Sequence, residues 1–457
     1  MDTIARYLSS YGRSLRYEDI SEEALKRTKL LIVDTLGCAI GAYHSEPSRI
    51  AREMAETVTS TQPATVLGSG GKTSPDLAAF ANGVMVRYLD FNDGYTSLES
   101  GHPSDAIAAV LSPAEVSGAG GKTVITSVVL AYEAFCRLCD AVSVRSRRFD
   151  HVTLGVVAGG LGAAKAMGLT REQTEETVNL CVAPNVALYQ TRIGDVSMWK
   201  GCAFANASRN AVFAAMMAQR GLTGPSPVFE GFGGFFNAVS RDPFSPDAFG
   251  GDGRPFKVME ATIKGFPLGL YSQTVVEAAL EVRDRVSSVE DIAEVRVETL
   301  QTAIDIMAGD EEKWRPANRE TADHSMPYSV AVALTYGNVE EHHFGDEYLR
   351  DRSLLALTGK VKVAATEEAN RRAPEAMLAT VEVVTKSGER HRSSPVPYHR
   401  GHWKNPMTDR EVEAKFRALS TDLLGPDRTD ALLDRLWHLE RVDHIGEILE
   451  MARVKSP

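Results

Sequence analysis

Carboxylates at Asp90, Asp93 and Asp105 and an imidazole at His102 fall within one stretch, YLDFNDGYTSLESGHPSD, residues 88–105. Together they can move a proton: near neutral pH the histidine takes or gives it, and a carboxylate holds the ring in one tautomer or serves as the partner acid–base group. The competing assignment makes Asp93 and Asp105 helix caps and His102 a loop residue satisfied by a neighbour. The punctuation of the stretch favours chemistry. Gly94 breaks any helix after Asp90, Asn92 and Asp93, and a Ser/Gly-rich arc returns to His102 and Pro103 before an apolar run begins at Ala106. Two polar loops are thereby set between helices.

Further candidates follow downstream. FDHVTLG puts His151 directly before an Ala/Gly-rich helix and SMWKG puts Lys200 before another, both beside helix N-termini, where anions are favoured. A lysine there predicts a carboxylate ligand, and the flanking Trp199 and apolar AFANA argue against simple solvent exposure. IKGFP contributes Lys264 and ADHSMPYSVAV contributes His324 at a helix start. No residue set has metal-ligand spacing. Cys136 and Cys139 form a C-x-x-C pair, but within the helical apolar pattern AYEAFCRLCDAV and without a second pair, so core packing is expected. Five cysteines, an odd number, predict reduced thiols, and none forms an obvious iron–sulfur ligand set. Any chemistry is expected from side chains, with no metal and no cofactor.

Stepping outward to what must position these residues, the first 220 or so residues read as helix after helix. Apolar residues recur at helical spacing over 4–15 and 21–38, the latter opening on a capped Ser21. Ser74-Pro75-Asp76 opens another helix, residues 121–141 and 151–167 read as two long buried ones, and Thr170 to Gln173 forms a capping box for a helix through residue 183. After Gly221 turn chemistry replaces periodicity (PFSPDAFGGDGRPF), and DIAEVRVET and AMLATVEVVTK then alternate as strands around a helix at 325–336. From Pro406 amphipathic helices return. This predicts a large helical domain built from residues 1–262 and 395–457, interrupted by a smaller α+β domain at 263–394, in a chain of 457 residues that exceeds the usual single core.

Composition excludes several classes. Acidic residues outnumber basic ones by 61 to 50, for a net charge of −11, and no basic tract interleaves with aromatics, so nucleic acid is not an expected partner. An anionic substrate must then be held by a few cations gathered in one pocket. The apolar runs at 30–42 and 124–134 are too short or too interrupted to cross a bilayer, and residues 1–20 show no targeting pattern, which predicts a cytoplasmic protein without membrane contact.

Eight ordered segments also carry a resemblance: LDFND (89–93), GHPSD (101–105), DHV (150–152), the Lys200 segment, KGFP (264–267), SQTVVEA (272–278), DHSMPYSVAVAL (323–334), and GHWKNPMT with EAKF (401–416). The sequence resembles the MmgE/PrpD family, which includes 2-methylcitrate dehydratase and cis-aconitate decarboxylase. That resemblance implies a mainly α fold, a large all-helical domain plus a smaller α+β lid domain, in a cofactor-independent homodimer acting on tricarboxylates or their relatives. It places Asp90, His102, His151 and Lys200 as catalytic residues and Lys264, Tyr271 and His324 as substrate-binding ones. Elimination of water from a citrate-like substrate takes a carbon-bound proton beside a carboxylate, and Lys200 and Lys264 would stabilise the charge that develops. Gly94, Gly269 and Tyr271 depart from the family pattern. A histidine occupies the position of Gly269 in the decarboxylase, so dehydration of a 2-methylcitrate-like acid is the leading expectation. Decarboxylation, epimerisation or isomerisation of a related acid, and non-catalytic binding, remain as alternatives.

Overall fold

The computed structural model describes residues 3–455. In chain order the first helices are α1 (Thr3–Ser14), α2 (Glu22–Gly41), α3 (Glu46–Glu56), α4 (Pro75–Tyr88), α5 (Ile107–Val116) and α6 (Gly121–Ala141). They are followed by α7 (Val152–Ala166), α8 (Arg171–Val182) and α9 (Trp199–Gln219). Next come α10 (Gln273–Arg283), α11 (Gln301–Met307), α12 (Arg319–Ala322), α13 (Met326–Tyr336), α14 (Asp346–Leu349), α15 (Arg352–Thr358) and α16 (Glu367–Arg372). The last are α17 (Asp409–Leu424), α18 (Pro426–Trp437) and α19 (Gly446–Met451). Helix makes up 58% of the structure and strand 8%, so the fold is mainly α, with a smaller α+β part.

The chain divides into two compact units, the first comprising residues 1–189, 201–262 and 407–457, the second residues 190–200 and 263–406. In the first unit α2 packs on α17 and α4, and α6 on α7. Every residue of α7 except Lys165 is buried, which is why that helix is apolar all round rather than striped. Local signals set the helix starts. Ser21 accepts the Ala24 N–H at the head of α2, Pro75 occupies the first turn of α4, and Thr170 and Gln173 close a capping box on α8. Two-residue ladders, β1 (Ala64–Thr65) with β2 (Lys72–Thr73) and β3 (Tyr95–Thr96) with β4 (Ser100–Gly101), pin two loops, the second one just ahead of His102.

The second unit holds a four-stranded sheet of β5 (Ile292–Thr299), β6 (Val361–Ala365), β7 (Thr380–Thr385) and β8 (Arg390–Arg392), in the order β6-β5-β7-β8. β5 runs parallel to β6 and antiparallel to β7, with Val297 opposite Val363 and Val381. A register shift between Ile292 and Glu294 explains why the inward residues Ile292 and Val295 lie three apart, since a bulge inserts one residue into the alternation. α10 and α13 pack together, and α10 lies against β7. β5, β7 and α13 occupy stretches that the sequence marks as two strands and a helix. β6 and β8 are short segments whose pairing comes from neighbours rather than from their own pattern.

Cys136 and Cys139 lie as unpaired thiols inside α6, pushed well above the ordinary thiol range by desolvation. Among the described residues no helix is long and apolar enough to cross a membrane.

Candidate active site

In the first unit the site begins where α4 ends. Asp90 has φ +51°, a left-handed conformation that Asp tolerates better than most residues, and its carboxylate pairs with Arg87 at 2.8 Å. Both side chains are buried, as is Asp105, whose Oδ2 lies 3.7 Å from Arg87 Nε. Arg87 also reaches His102, with 3.1 Å between its terminal nitrogen and Nε2. A guanidinium only donates, so Nε2 accepts there. His102 Nδ1 lies 2.6 Å from the Asp93 carbonyl, which only accepts, so the ring carries its proton on Nδ1. Holding that tautomer is therefore the work of the Asp93 backbone, while Asp90 engages Arg87.

The Asp93 carboxylate braces the same loop. Oδ1 accepts from the Ser104 amide at 3.0 Å and the Ser104 hydroxyl at 2.5 Å, and Oδ2 accepts from Tyr132 at 2.7 Å. Burial pushes its pKa up to about 6, against the lowering pull of the Ser104 and Tyr132 hydrogen bonds. Asn92 donates to Ser104 and Asp105 at 2.8 and 2.7 Å. The LDFND and GHPSD segments thus form one hydrogen-bonded unit.

His151, at the N-terminus of α7, joins this group. Its ring lies edge-on to His102 with centroids 5.7 Å apart. Gly101 makes that approach feasible, because a Cβ there would sit 2.6 Å from both the His151 and the Phe135 rings. His151 Nδ1 is 3.0 Å from Asp150 Oδ1, so Nδ1–H donates to the carboxylate and Nε2 carries the lone pair. Asp150 is held in turn, its own amide donating to the Ala187 carbonyl at 2.8 Å and the Val152 amide donating to Oδ1 at 3.2 Å.

The second unit repeats the device. Asp323, at the end of α12, lies 3.1 Å from Nδ1 of its successor His324, and the Lys200 ammonium bonds the same carboxylate oxygen. Lys200 and Asp323 are both buried, and the Lys200 nitrogen is 3.3 Å from His324 Nδ1. Lys200 is the second residue of α9, so the structure puts it inside a helix's first turn. Lys264 is fully buried at the head of the KGFP loop. Gln273 shapes that loop, accepting from the Gly265 and Phe266 amides and donating to the Phe266 and Leu268 carbonyls, which gives the SQTVVEA segment its role. Gly269 donates to the Asp323 carbonyl at 2.9 Å, and a Cβ on it would meet the Met307 methyl at 2.4 Å. Met307 thus fills the space a side chain at 269 would enter. Tyr271 lies in the apolar core of this unit.

Asp90, His102 and His151 come together in the first unit, and Lys200 and His324 in the second. Arg87, Asp150 and Asp323 are functional candidates that the structure adds. For the two aspartates a signal was present: the dipeptide Asp-His occurs at both places. Arg87 lies inside a helical pattern that resembles any other.

Residues 6–247 match the MmgE/PrpD N-terminal domain and residues 266–439 the MmgE/PrpD C-terminal domain. The chain belongs to the MmgE/PrpD family. This member is similar to 2-methylcitrate dehydratase of Escherichia coli K12, at 28% identity over 85% of this chain and 84% of that protein. It is similar also to 2-methylcitrate dehydratase of Cupriavidus necator, at 27% over 96% and 95%, and to human cis-aconitate decarboxylase, at 24% over 100% and 96%. MmgE/PrpD proteins are enzymes, and so is this one.

Proposed function

We propose that this MmgE/PrpD member is a lyase that dehydrates a 2-methylcitrate-like tricarboxylate, or a related hydroxy acid, by side-chain acid–base catalysis without a cofactor. The observation that carries this reading is the repeated Asp-His pair, each with its carboxylate beside Nδ1 and, at His151, the lone pair left on Nε2, accompanied by the buried cations Arg87, Lys200 and Lys264. His151 takes the carbon-bound proton. For the hydroxyl to leave as water it must receive a proton, which His102 gives in its imidazolium form, with the Asp90 carboxylate joined to it through Arg87. Lys200 and Lys264 stabilise the charge that grows on the adjacent substrate carboxylate, and Tyr271 and His324 contribute substrate contacts.

The names of the bacterial relatives support dehydration. Decarboxylation is less well supported, because the position at which the decarboxylase pattern has a histidine is Gly269, and Met307 takes up the room. Gly269 and Tyr271, in place of charged or imidazole side chains, favour a citrate relative with an apolar substituent, or with one carboxylate fewer, over 2-methylcitrate itself. The enzyme acts in the cytoplasm as a homodimer through its helical unit.

The deciding experiment is incubation with 2-methylcitrate, citrate, cis-aconitate and alkyl-substituted analogues in heavy water. Deuterium entering the carbon skeleton, with water lost and specificity constants highest for an alkyl-substituted acid, is expected. No exchange with any ligand points instead to a binding protein, and carbon dioxide release points to a decarboxylase. Turnover lost in EDTA and restored by iron or magnesium would defeat cofactor independence, and a monomer in light scattering at micromolar concentration would defeat the dimer.

A further inference from the structure

Lys415 belongs to the EAKF segment, which has no part in the chemistry above, yet it reaches the LDFND loop from near the end of the chain. Its ammonium donates to the Phe91 carbonyl at 2.7 Å, pairs with Asp34 at 2.7 Å and lies 3.7 Å from the centroid of the Phe91 ring. Asp34 is buried on α2, and the Lys415 side chain on α17 is only 8% exposed. The Asp34 carboxylate by itself is enough to tie α2 to α17 through this lysine. Here the same ammonium also holds both the backbone and the ring of Phe91, the residue immediately after Asp90.

Asp90 needs such a brace. Its left-handed backbone is an uncommon conformation that persists only when its surroundings over-determine it. The Arg87 pair fixes its side chain from one direction, and Gly94 is fastened to Thr262 by a reciprocal pair of backbone hydrogen bonds at 2.8 Å. Between these two anchors, Lys415 holds the loop at the Phe91 carbonyl, one peptide beyond the plane that follows Asp90, and a cation over the ring adds a second constraint on the same residue. We propose that Lys415 is a positioning residue: with Asp34 it clamps Phe91 and so keeps the Asp90 carboxylate aimed for the reaction. The proposal rests on the reading above that Asp90 takes part in catalysis.

The test is the double variant Asp34→Asn/Lys415→Met, which removes both members of the ion pair and leaves neither charge buried alone. The expected result is a kcat lower by roughly 30-fold or more with KM within about threefold, because misaiming a reacting group costs rate rather than binding. Amide hydrogen exchange should accelerate by at least about tenfold at residues 91–94 while α2 and α17 keep wild-type exchange, and Lys415→Arg, which can still bond the carbonyl, should regain a third or more of kcat. Wild-type kcat with unchanged exchange at 91–94 would overturn the clamp. So would faster exchange throughout α2 and α17 with kcat per folded molecule unaltered, the signature of a helix tie alone. If the wild-type enzyme turns over none of the acids tested, the exchange data decide by themselves: acceleration confined to 91–94 upholds the clamp and faults only the assigned reaction, and its absence refutes the clamp.

Discussion

Asp150–His151 in the first unit and Asp323–His324 in the second use the same two residues in the same order, with carboxylate to Nδ1 distances of 3.0 and 3.1 Å. They differ in what else the carboxylate holds. Asp150 accepts a backbone N–H, whereas Asp323 shares its oxygen with the Lys200 ammonium. The Asp150 oxygen that faces His151 also accepts from a neutral amide, and its charge is placed to stabilise the imidazolium that forms when the ring takes a proton. A carboxylate already paired to an ammonium spends that charge on the lysine, and the histidine becomes part of a fixed, anion-binding group. Under the proposed function, identical dipeptides suit different work: His151 transfers the proton and His324 contacts substrate, beside a Lys200 that stabilises the charge developing on it.

The largest expected separation is between the two imidazoles. His151→Ala should lower kcat by roughly 1,000-fold, within the range for loss of a general base, whereas His324→Ala should act mainly on KM. Equal kcat losses in steady-state kinetics would erase the distinction. Second in size is the effect of removing the ammonium. Lys200→Met strands a buried Asp323 charge and should destabilise the protein by about 3–5 kcal/mol in urea unfolding, with most of that recovered in Asp323→Asn/Lys200→Met. No recovery in the double variant would mean that Lys200 contributes through something other than the ion pair. Third, Asp150→Asn should cost about 100-fold in kcat through the wrong tautomer at His151, with little change in stability, while Asp323→Asn should show the opposite balance.

The smallest effect contrasts buried carboxyls rather than histidines. Asp93 has its folded pKa raised to about 6, so the folded state binds that proton more tightly than the unfolded chain. Its stabilising contribution is full below the unfolded value of about 4 and is lost as pH rises towards 6, on the order of 2 kcal/mol. Asp93→Asn should flatten that part of the stability curve. In the second unit burial raises Glu277 to about 7, although the Arg400 amide and charge oppose it, so Glu277→Gln should flatten a window reaching nearer neutrality. Urea midpoints measured from pH 4 to 8 would distinguish the two windows, and coincident ones would show that burial does not separate these groups.

Much of this protein was decided by its sequence alone. Helix periodicity, capping at Ser21 and Thr170, the turn-rich segment after Gly221 and two of the four sheet strands follow from local rules, because hydrophobic spacing and caps act within a turn or two of the residues that carry them. The candidate residues Asp90, His102, His151, Lys200 and His324 were legible for a related reason: their types are few, and their spacing around Gly and Pro marks loops rather than helix faces. Tertiary structure alone decided which of them touch, and through what. No local pattern says that Arg87 bonds His102, that Asp93 fixes its tautomer through a carbonyl, that Met307 fills the space beside Gly269, or that Lys415 grips Phe91 from 324 residues away. Those contacts join segments distant in the chain, and their geometry exists only once burial has brought the segments together and made an unpaired polar group costly.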